Sequence, residues 1–442
     1  MLTARSASDA EAGFQEASSF DDIRGKSVFA FHIHHWKRPI LEAYFPEVRF
    51  RYLPFYLSDA EFRKVWVSQV KDPENSAFLA WGINLPEEAH RLAQKASIPV
   101  YHMEDGFLRS LNPHASRSPP FSLSIDSRVP YFDCSAASDL EILLQTYPFD
   151  RDGALMRRAA EGIAALLEFR ISKYNGPKGG AAKSDVRNDK PRILVLGQVE
   201  DDASIKKGCL TPVTNNDLVR LAAEENKGAE VIYKPHPDVL SGVRRGLSDP
   251  SEVENICEVM RDAVALPDAL EGVDHVYTIT SLAGFEALLR GIRVTVIGCP
   301  FYAGWGLTDD RQLNLRRQRK LTLHELFAGA YLLYPRYFNP VTGHPSAFEE
   351  CLGMISAWQG MGMPPSSIVS AQPTDTVKFA PWGAYGVLGW RHLLTLPLSK
   401  IIAHIGDQSD VEAYKRNPVH FFRELSDPRY RRIGKMLYPW EP

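Results

Sequence analysis

Two acids stand side by side in the stretch Glu104-Asp105-Gly106-Phe107. Adjacent carboxylates repel, which raises one pKa and supplies a general acid or base; a solvated turn is the plain alternative. A second acidic run, Gly197-Gln198-Val199-Glu200-Asp201-Asp202-Ala203-Ser204, offers a nucleophile, a base or metal ligands, against the alternative of a hydrated loop. In Lys234-Pro235-His236-Pro237-Asp238, two prolines restrain the backbone around an imidazole beside a cation, a pairing that suits a phosphate group. Thr280-Ser281-Leu282-Ala283-Gly284-Phe285-Glu286 reads as a strand end running directly into a helix. Its free N–H groups, hydroxyl and positive helix end make a phosphate seat, with an ordinary N-cap as the simpler account. Gly284 would permit close approach, and Glu286 has the chemistry to bind a ribose diol. The loop from Gly298 to Asp310, with Tyr302 among its aromatics and glycines, could wall off a base or sugar; core packing is the bland alternative.

These residues need a frame that gathers them, and the hydrophobic pattern supplies one. Short apolar runs at 27–33, 49–54, 77–82 and 98–104 read as strands, with PEEAHRLAQKA at helical spacing before the last of them. A helical run near 153–172 closes this half. The stretch 174–191 is rich in Gly, Pro and charge and reads as a linker or surface loop. A second series follows: strands at 192–198, 230–237, 275–280 and 294–298, with helices between them. Strand–helix alternation predicts parallel sheets covered by helices, whose ligands bind beyond the carboxyl ends of the strands. All five motifs fall at such ends, EDG in the first series and the other four in the second.

The chain has 442 residues, enough for two domains plus extensions, and a net charge of -3 excludes a global basic field for nucleic acid. Its five cysteines are scattered and form no CxxC pair, which argues against a disulfide framework or a zinc site. The polar, acidic N-terminus does not read as a secretory signal, and there is no apolar run of about 18 residues to cross a membrane. A cytoplasmic protein is expected, with peripheral contact to the inner membrane as an option.

In order and spacing, EDGFLRS (104–110), SKYN (172–175), LGQVEDDASI (196–205), YKPHPDVL (233–240), TSLAGFEALLRG (280–291) and PFYAGWGLTDD (300–310) resemble the bacterial capsular polysaccharide β-Kdo transferases of the KpsC/LipB type, over residues 75–340. The likeness is to the second catalytic module of the tandem enzymes; one such module is seen here. The EDG and HP pairs are also similar to motifs of bacterial sialyltransferases. The resemblance implies an α/β, GT-B-like fold: two Rossmann-type domains facing across a cleft, with a C-terminal helical extension. The corresponding boundaries are a disordered lead-in at 1–24, an acceptor-side domain at 25–185, a CMP-sugar-binding domain at 190–355 and an extension at 356–442.

The resemblance further implies a CMP-β-Kdo donor, retention of configuration and double displacement. Asp202 would be the nucleophile and Glu104 the acid/base, with Asp105 as the alternative. Lys234, His236 and Ser281 would hold the CMP phosphate, Glu286 the ribose, and Gln198 would position the donor; Pro237, Thr280, Gly284 and Tyr302 complete the donor set. No metal or other cofactor is expected. The partners implied are the CMP-activated sugar, a glycan or glycolipid acceptor, and, as further candidates, the inner-membrane surface and capsule assembly proteins; nucleic acid is not among them. Two other functions remain open: transfer of another CMP-ulosonate, and a non-catalytic glycan- or nucleotide-sugar-binding role in capsule assembly. The resemblance does not explain two stretches. HIHHW (32–36) could be a metal cluster, but a strand end whose histidines face an acidic acceptor is favoured. The segment 377–405 is apolar and aromatic, interrupted by Pro397; with Trp382, Tyr385 and Trp390 it could anchor at a membrane surface or pack across the domains.

Overall fold

The structure, a computed structural model, describes residues 23–110, 118–173, 175, 190–240, 246–262, 264–361, 392–406 and 408–438. Packing divides the chain into two units, one spanning Val100–Val369 and the other joining Ile23–Pro99 to Ser370–Pro442. Described residues on both sides of the Gly- and Pro-rich stretch 174–191 thus belong to one unit, although the sequence places a domain boundary there.

The smaller unit holds three parallel strands. β1 (Ser27–Phe31) lies between β2 (Arg49–Tyr52) and β3 (Ser76–Trp81). Val28, Phe29, Ala30 and Phe31 are all buried, as expected of a parallel strand covered on both faces. The chain leaves β1 for β2 on one side and reaches β3 on the other, so the strand order reverses between β1 and β3. Four further helices belong to this unit: His392–Ile405, Gln408–Arg416, Pro418–Glu424 and Pro428–Leu437. They share a core of Ile402, Val411, Tyr414, Val419, Phe422 and Tyr438. The first of these helices runs through Pro397 instead of breaking there. Trp382, Tyr385 and Trp390 lie outside the described residues.

In the larger unit, β4 (Val100–Asp105) pairs antiparallel with β5 (Ser122–Asp126). β5 pairs antiparallel with a late strand, Arg336–Phe338, which in turn pairs with Pro345–Ser346. The sequence pattern predicts neither β5 nor this return. A six-stranded parallel sheet fills the rest of the unit. It contains β6 (Arg192–Leu196), β7 (Glu230–Lys234), β8 (Glu258–Val259), β9 (His275–Thr278), β10 (Arg293–Val296) and β11 (Asp309–Asp310), in the order β11-β10-β9-β6-β7-β8. The chain proceeds from β6 through β7 to β8 on one side, then crosses to β9 on the other. The topological switch point therefore lies between β6 and β9, and ligands of open parallel sheets bind at such a crevice. The two sheets of this unit share an apolar core that includes Phe107, Leu144, Leu166, Phe285, Phe301, Trp305 and Phe327. Among the described residues, no helix is long and apolar enough to cross a membrane.

Gly106 shows how tightly the EDG turn is seated. A Cβ at this position would lie 2.3 Å from Ser122 Oγ and 3.0 Å from the Ser122 backbone carbon. Gly106→Ala is expected to cost about 1–3 kcal/mol through this overpacking. Urea denaturation should show a lower midpoint at unchanged slope; an unchanged midpoint would mean that the turn can relax.

Candidate functional site

The site grows outward from one side chain at the switch point. Gln198, two residues beyond β6, accepts the Thr280 backbone N–H at its Oε1 (2.7 Å) and donates from Nε2 to the Thr280 hydroxyl (3.1 Å). Its own backbone is gripped by Asn215, whose Oδ1 accepts the Gln198 N–H at 3.0 Å and whose Nδ2 donates to the Gln198 carbonyl at 2.9 Å. Gln198 and Thr280 are thereby bonded to each other, and the Gln198 amide serves the scaffold. The Thr280 methyl packs where Gly208 and Gly298 leave space, since a Cβ on either would come within 3.0 Å of it. Gly197 likewise lets β6 approach β7: its N–H donates to the Lys234 carbonyl, and a Cβ would stand 3.0 Å from Pro235 Cα.

The three consecutive acids after β6 divide by role. Glu200 is buried and takes four hydrogen bonds: from the Asn215 N–H, the Ser248 hydroxyl, and the Leu247 and Ser248 N–H groups. It fixes the 247–248 segment beside the crevice. Asp201 is exposed. Asp202 is half-buried and N-caps the helix Ala203–Gly208, its Oδ1 accepting the Ser204 N–H (2.9 Å) and hydroxyl (2.8 Å). A cap alone would explain an acid here.

Lys234 ends β7 at 7 % exposure, and its ammonium makes no hydrogen bond or ion pair with the described residues. Burial pulls its pKa below the ordinary lysine value. A desolvated cation with no internal counter-charge is costly unless an anion visits it. Two residues on, the Asp238 N–H donates to His236 Nδ1 at 3.1 Å. In that neutral tautomer Nε2 carries the ring proton and is the donor. Pro237 opens the short helix Pro237–Leu240, its fixed φ suiting the first helical position.

Beyond β9, Ser281 N-caps the helix Leu282–Leu289, accepting the Ala283 N–H at 3.2 Å. Tyr302 and Gly284 support this turn from inside. Tyr302 is fully buried and donates its hydroxyl to the Ser281 carbonyl at 2.5 Å, so its ring packs in the core instead of lining a ligand site. Gly284 is small because that same hydroxyl would lie 2.3 Å from a Cβ, so the close approach there is made by Tyr302. Glu286, one turn into the helix, is 3 % exposed; its Oε1 accepts the Lys173 N–H at 3.1 Å, and its Oε2 has no hydrogen-bond partner among the described residues. It lines a small cavity with Phe107, Leu166, Ile171 and Tyr331, and burial pushes its carboxyl up to about 7.

Glu286 also links the motifs to one another. Next to Lys173, Ser172 donates its N–H to Asn175 Oδ1, and Asn175 Nδ2 donates to the carbonyls of Ser172 and Ser110. EDGFLRS, SKYN and TSLAGFE thus form one hydrogen-bonded chain. Glu104 and Asp105 close β4, both half-buried. Asp105 Oδ2 accepts the Nε–H of Arg109, a guanidinium 1 % exposed, at 2.9 Å. That pairing gives Asp105 a structural duty. Phe107 stacks on Phe301 of the aromatic loop (centroids 4.6 Å apart), which ties the first motif to the last. Arg317 holds that loop by donating to the carbonyls of Pro300 (2.5 Å) and Ala303 (2.7 Å) while paired with buried Glu141 (2.9 Å). Arg109, Asn175, Glu141 and Arg317 escape the sequence reading; for Arg109 and Asn175 the signal was their place inside the resembling motifs. No three His, Cys, Asp or Glu side chains among the described residues are placed to hold a metal ion.

Comparison with known proteins gives this arrangement a lineage. Residues 77–337 match the family described as capsule polysaccharide biosynthesis protein. The chain is 43% identical over 354 residues to the lipopolysaccharide-processing protein LpsZ of Rhizobium meliloti, covering 79% of each. It is 39% identical over 337 residues to the capsule polysaccharide modification protein LipA of Neisseria meningitidis, covering 76% of this chain but 46% of LipA. Among solved structures it is similar to the β-Kdo 2,4 transferase of Thermosulfurimonas dismutans KpsC (TM-score 0.64, 32% identity, 75% of this chain and 98% of that one). The β-Kdo 2,7 transferase of the same KpsC is similar too, with TM-score 0.61, 35% identity, and coverage of 75% and 99%. A parallel sheet with a cationic, capped switch point and these structural neighbours define a glycosyltransferase. The chain belongs to the capsule polysaccharide biosynthesis family.

The buried Glu286 carboxyl gives a measurable sign. Its ordinary value of 4.5 rises to about 7 on folding, so the folded state binds the extra proton. The stability this contributes is complete below 4.5 and is lost as pH rises through about 7. Glu286→Gln should therefore flatten the pH dependence of Tm between those values, measured by differential scanning calorimetry. An identical slope in the variant would show that the carboxyl stays ionised.

Proposed function

We propose that this chain transfers Kdo from CMP-β-Kdo to a capsule-type or related surface glycan, or its lipid-linked acceptor, with retention through double displacement. The observation that carries this reading is Lys234. A buried ammonium with no hydrogen bond or ion pair among the described residues, at the end of β7 and two residues before His236, suits a phosphate, as does the Ser281-capped helix that follows β9. The likeness to two Kdo transferase structures supplies the sugar, and the same likeness supports a GT-B-like arrangement.

In this mechanism an Asp202 carboxylate oxygen attacks the anomeric carbon. The bond from that carbon to the phosphate oxygen breaks, and CMP departs with the electron pair. Lys234, His236 and Ser281 stabilise the charge that collects on the leaving phosphate. Glu104 then takes the proton of an acceptor hydroxyl, whose oxygen displaces Asp202 from the face that CMP vacated. Two inversions return the original configuration. Glu286 remains the candidate for the ribose. Peripheral contact with a membrane is part of the proposal. Exposed Leu393, Leu396, Ile405 and Met436 support it, with Arg429, Arg432 and Lys435 near the last of them.

Because Asp202 also caps a helix, Asp202→Asn is the discriminating variant: the amide oxygen keeps the cap but cannot serve as the nucleophile. Incubated with CMP-Kdo generated in place and a panel of synthetic acceptors, the wild type should form glycan and release CMP. The variant should lose product formation by at least about a thousand-fold, with CMP affinity by calorimetry preserved. Full activity would leave Asp202 a cap and nothing more, and a wild type that binds CMP without product would favour a non-catalytic partner or another CMP-ulosonate. His236→Ala should weaken CMP binding about ten-fold, roughly the worth of one charge-assisted hydrogen bond; unchanged affinity would remove it from the phosphate seat.

A further inference from the structure

The larger unit carries an apolar surface that its own packing does not explain. Leu210, Leu313 and Leu315 are 77 %, 78 % and 83 % exposed. Leu210 follows the helix Ala203–Gly208, and Leu313 and Leu315 follow β11 in the loop 311–320. Hydrogen bonds join the two segments: the Leu210 N–H donates to Gln312 Oε1 at 2.7 Å, and Gln312 Nε2 donates to the Gly208 carbonyl at 3.3 Å. Asn314 also turns inward, its Nδ2 donating to Glu141 Oε2 at 3.3 Å. Along 312–315 the usual alternation is therefore reversed, with amides facing the protein and leucines facing water. Exposed leucines are ordinary when they stand singly, but three gathered on bonded segments mark a contact surface.

The same two segments are basic. Residues 311–320 include four arginines, one lysine and no acid. Arg311 is paired with Glu225 and Asp309, and Arg319 lies 3.5 Å from Glu325. Arg316 and Arg317 share the single carboxylate of Glu141, at 2.6 and 2.9 Å, which leaves one positive charge over. Lys207 lies 3.6 Å from Asp133. Lys206 and Lys320 are exposed and make no hydrogen bond or ion pair with the described residues. Of the nearby acids, Asp310 accepts the Gly304 N–H, and Asp201 and Asp202 lie at the opposite end of the short helix that carries Lys206. Leucines with surplus cations on the same segments match a lipid surface: hydrocarbon receives the apolar tips, and anionic headgroups receive the charges. A second copy of this chain fits less well, because a two-fold contact would set these cations against themselves.

We propose that Leu210 and the loop 311–320 dock on a lipid surface bearing anionic headgroups. This surface is distinct from the exposed apolar side chains of the C-terminal helices, which belong to the smaller unit. Gly208 connects it to the crevice: its carbonyl holds Gln312, and a Cβ there would lie 2.9 Å from the Thr280 methyl. A glycan acceptor carried on a lipid would be presented beside the switch point. That last step rests on the transferase reading; lipid docking does not.

The test is co-sedimentation of the intact chain with vesicles of phosphatidylethanolamine and phosphatidylglycerol, compared with phosphatidylcholine alone. The wild type should bind the anionic vesicles about ten-fold more tightly. Leu313→Ser combined with Leu315→Ser should weaken that binding about ten-fold. Lys206→Gln combined with Lys320→Gln should weaken it too and reduce its sensitivity to salt. Leu393→Ser with Leu396→Ser reports the smaller unit separately: binding lost in that variant alone counts against this site and leaves membrane contact standing. Product assays on the same samples report the transferase reading, so vesicle binding without product supports the docking surface and counts only against that reading. Should the serine variant misfold, Leu315→Trp decides, since brominated phosphatidylglycerol should quench its emission beyond the quenching seen in the wild type. No vesicle binding, equal binding to both lipids, equal binding by the serine variant, no added quenching, or a dimer that the serine substitutions dissociate would overturn the site.

Discussion

The paired hydrogen bonds between Gln198 and Thr280 are the constraint on which the rest of the site depends. They join the segments that follow β6 and β9 at the one place in the sheet where strand order reverses. With that distance fixed, the Asp202 cap, the Lys234 ammonium and the Ser281 cap are each set by a short run of chain from a strand end. Two glycines, Gly208 and Gly298, then close around the Thr280 methyl, so the floor of the crevice has little room to adjust. A buried amide with both ends engaged resists rotation, since any other rotamer would strand a donor and an acceptor away from water.

The acids of the motifs illustrate how chemistry and architecture share residues. Glu200 anchors a neighbouring segment, Asp105 neutralises a buried guanidinium, and Glu286 receives a backbone N–H from the SKYN turn. These carboxylates would be retained by the fold whatever reaction took place. Asp202 differs from them in that its cap engages a single carboxylate oxygen.

Much of this was legible before any coordinates. The β-branched runs at 192–198 and 275–280 announced buried strands, and Thr280-Ser281 before an apolar helix announced a cap, because each depends on local chemistry alone. The roles of Tyr302 and Gly284 were not legible. An aromatic beside glycines looks the same in sequence whether it faces a sugar or packs inward, and the choice was made by a contact across 18 residues. Glu200 and Asp202 differ by two positions, and nothing in their order says which one the 247–248 segment will claim. The pairing of β5 with Arg336–Phe338 depends on a chain return of over 200 residues, beyond the reach of any periodicity.

The aromatic loop is held before any ligand arrives. Arg317, locked to Glu141, grips its carbonyls from behind, and Phe107 stacks against its front. Gripped on both sides, the loop keeps little freedom to change shape. Because the Tyr302 hydroxyl reaches the Ser281 carbonyl, a shift of these buried rings would be transmitted to the start of the helix Leu282–Leu289.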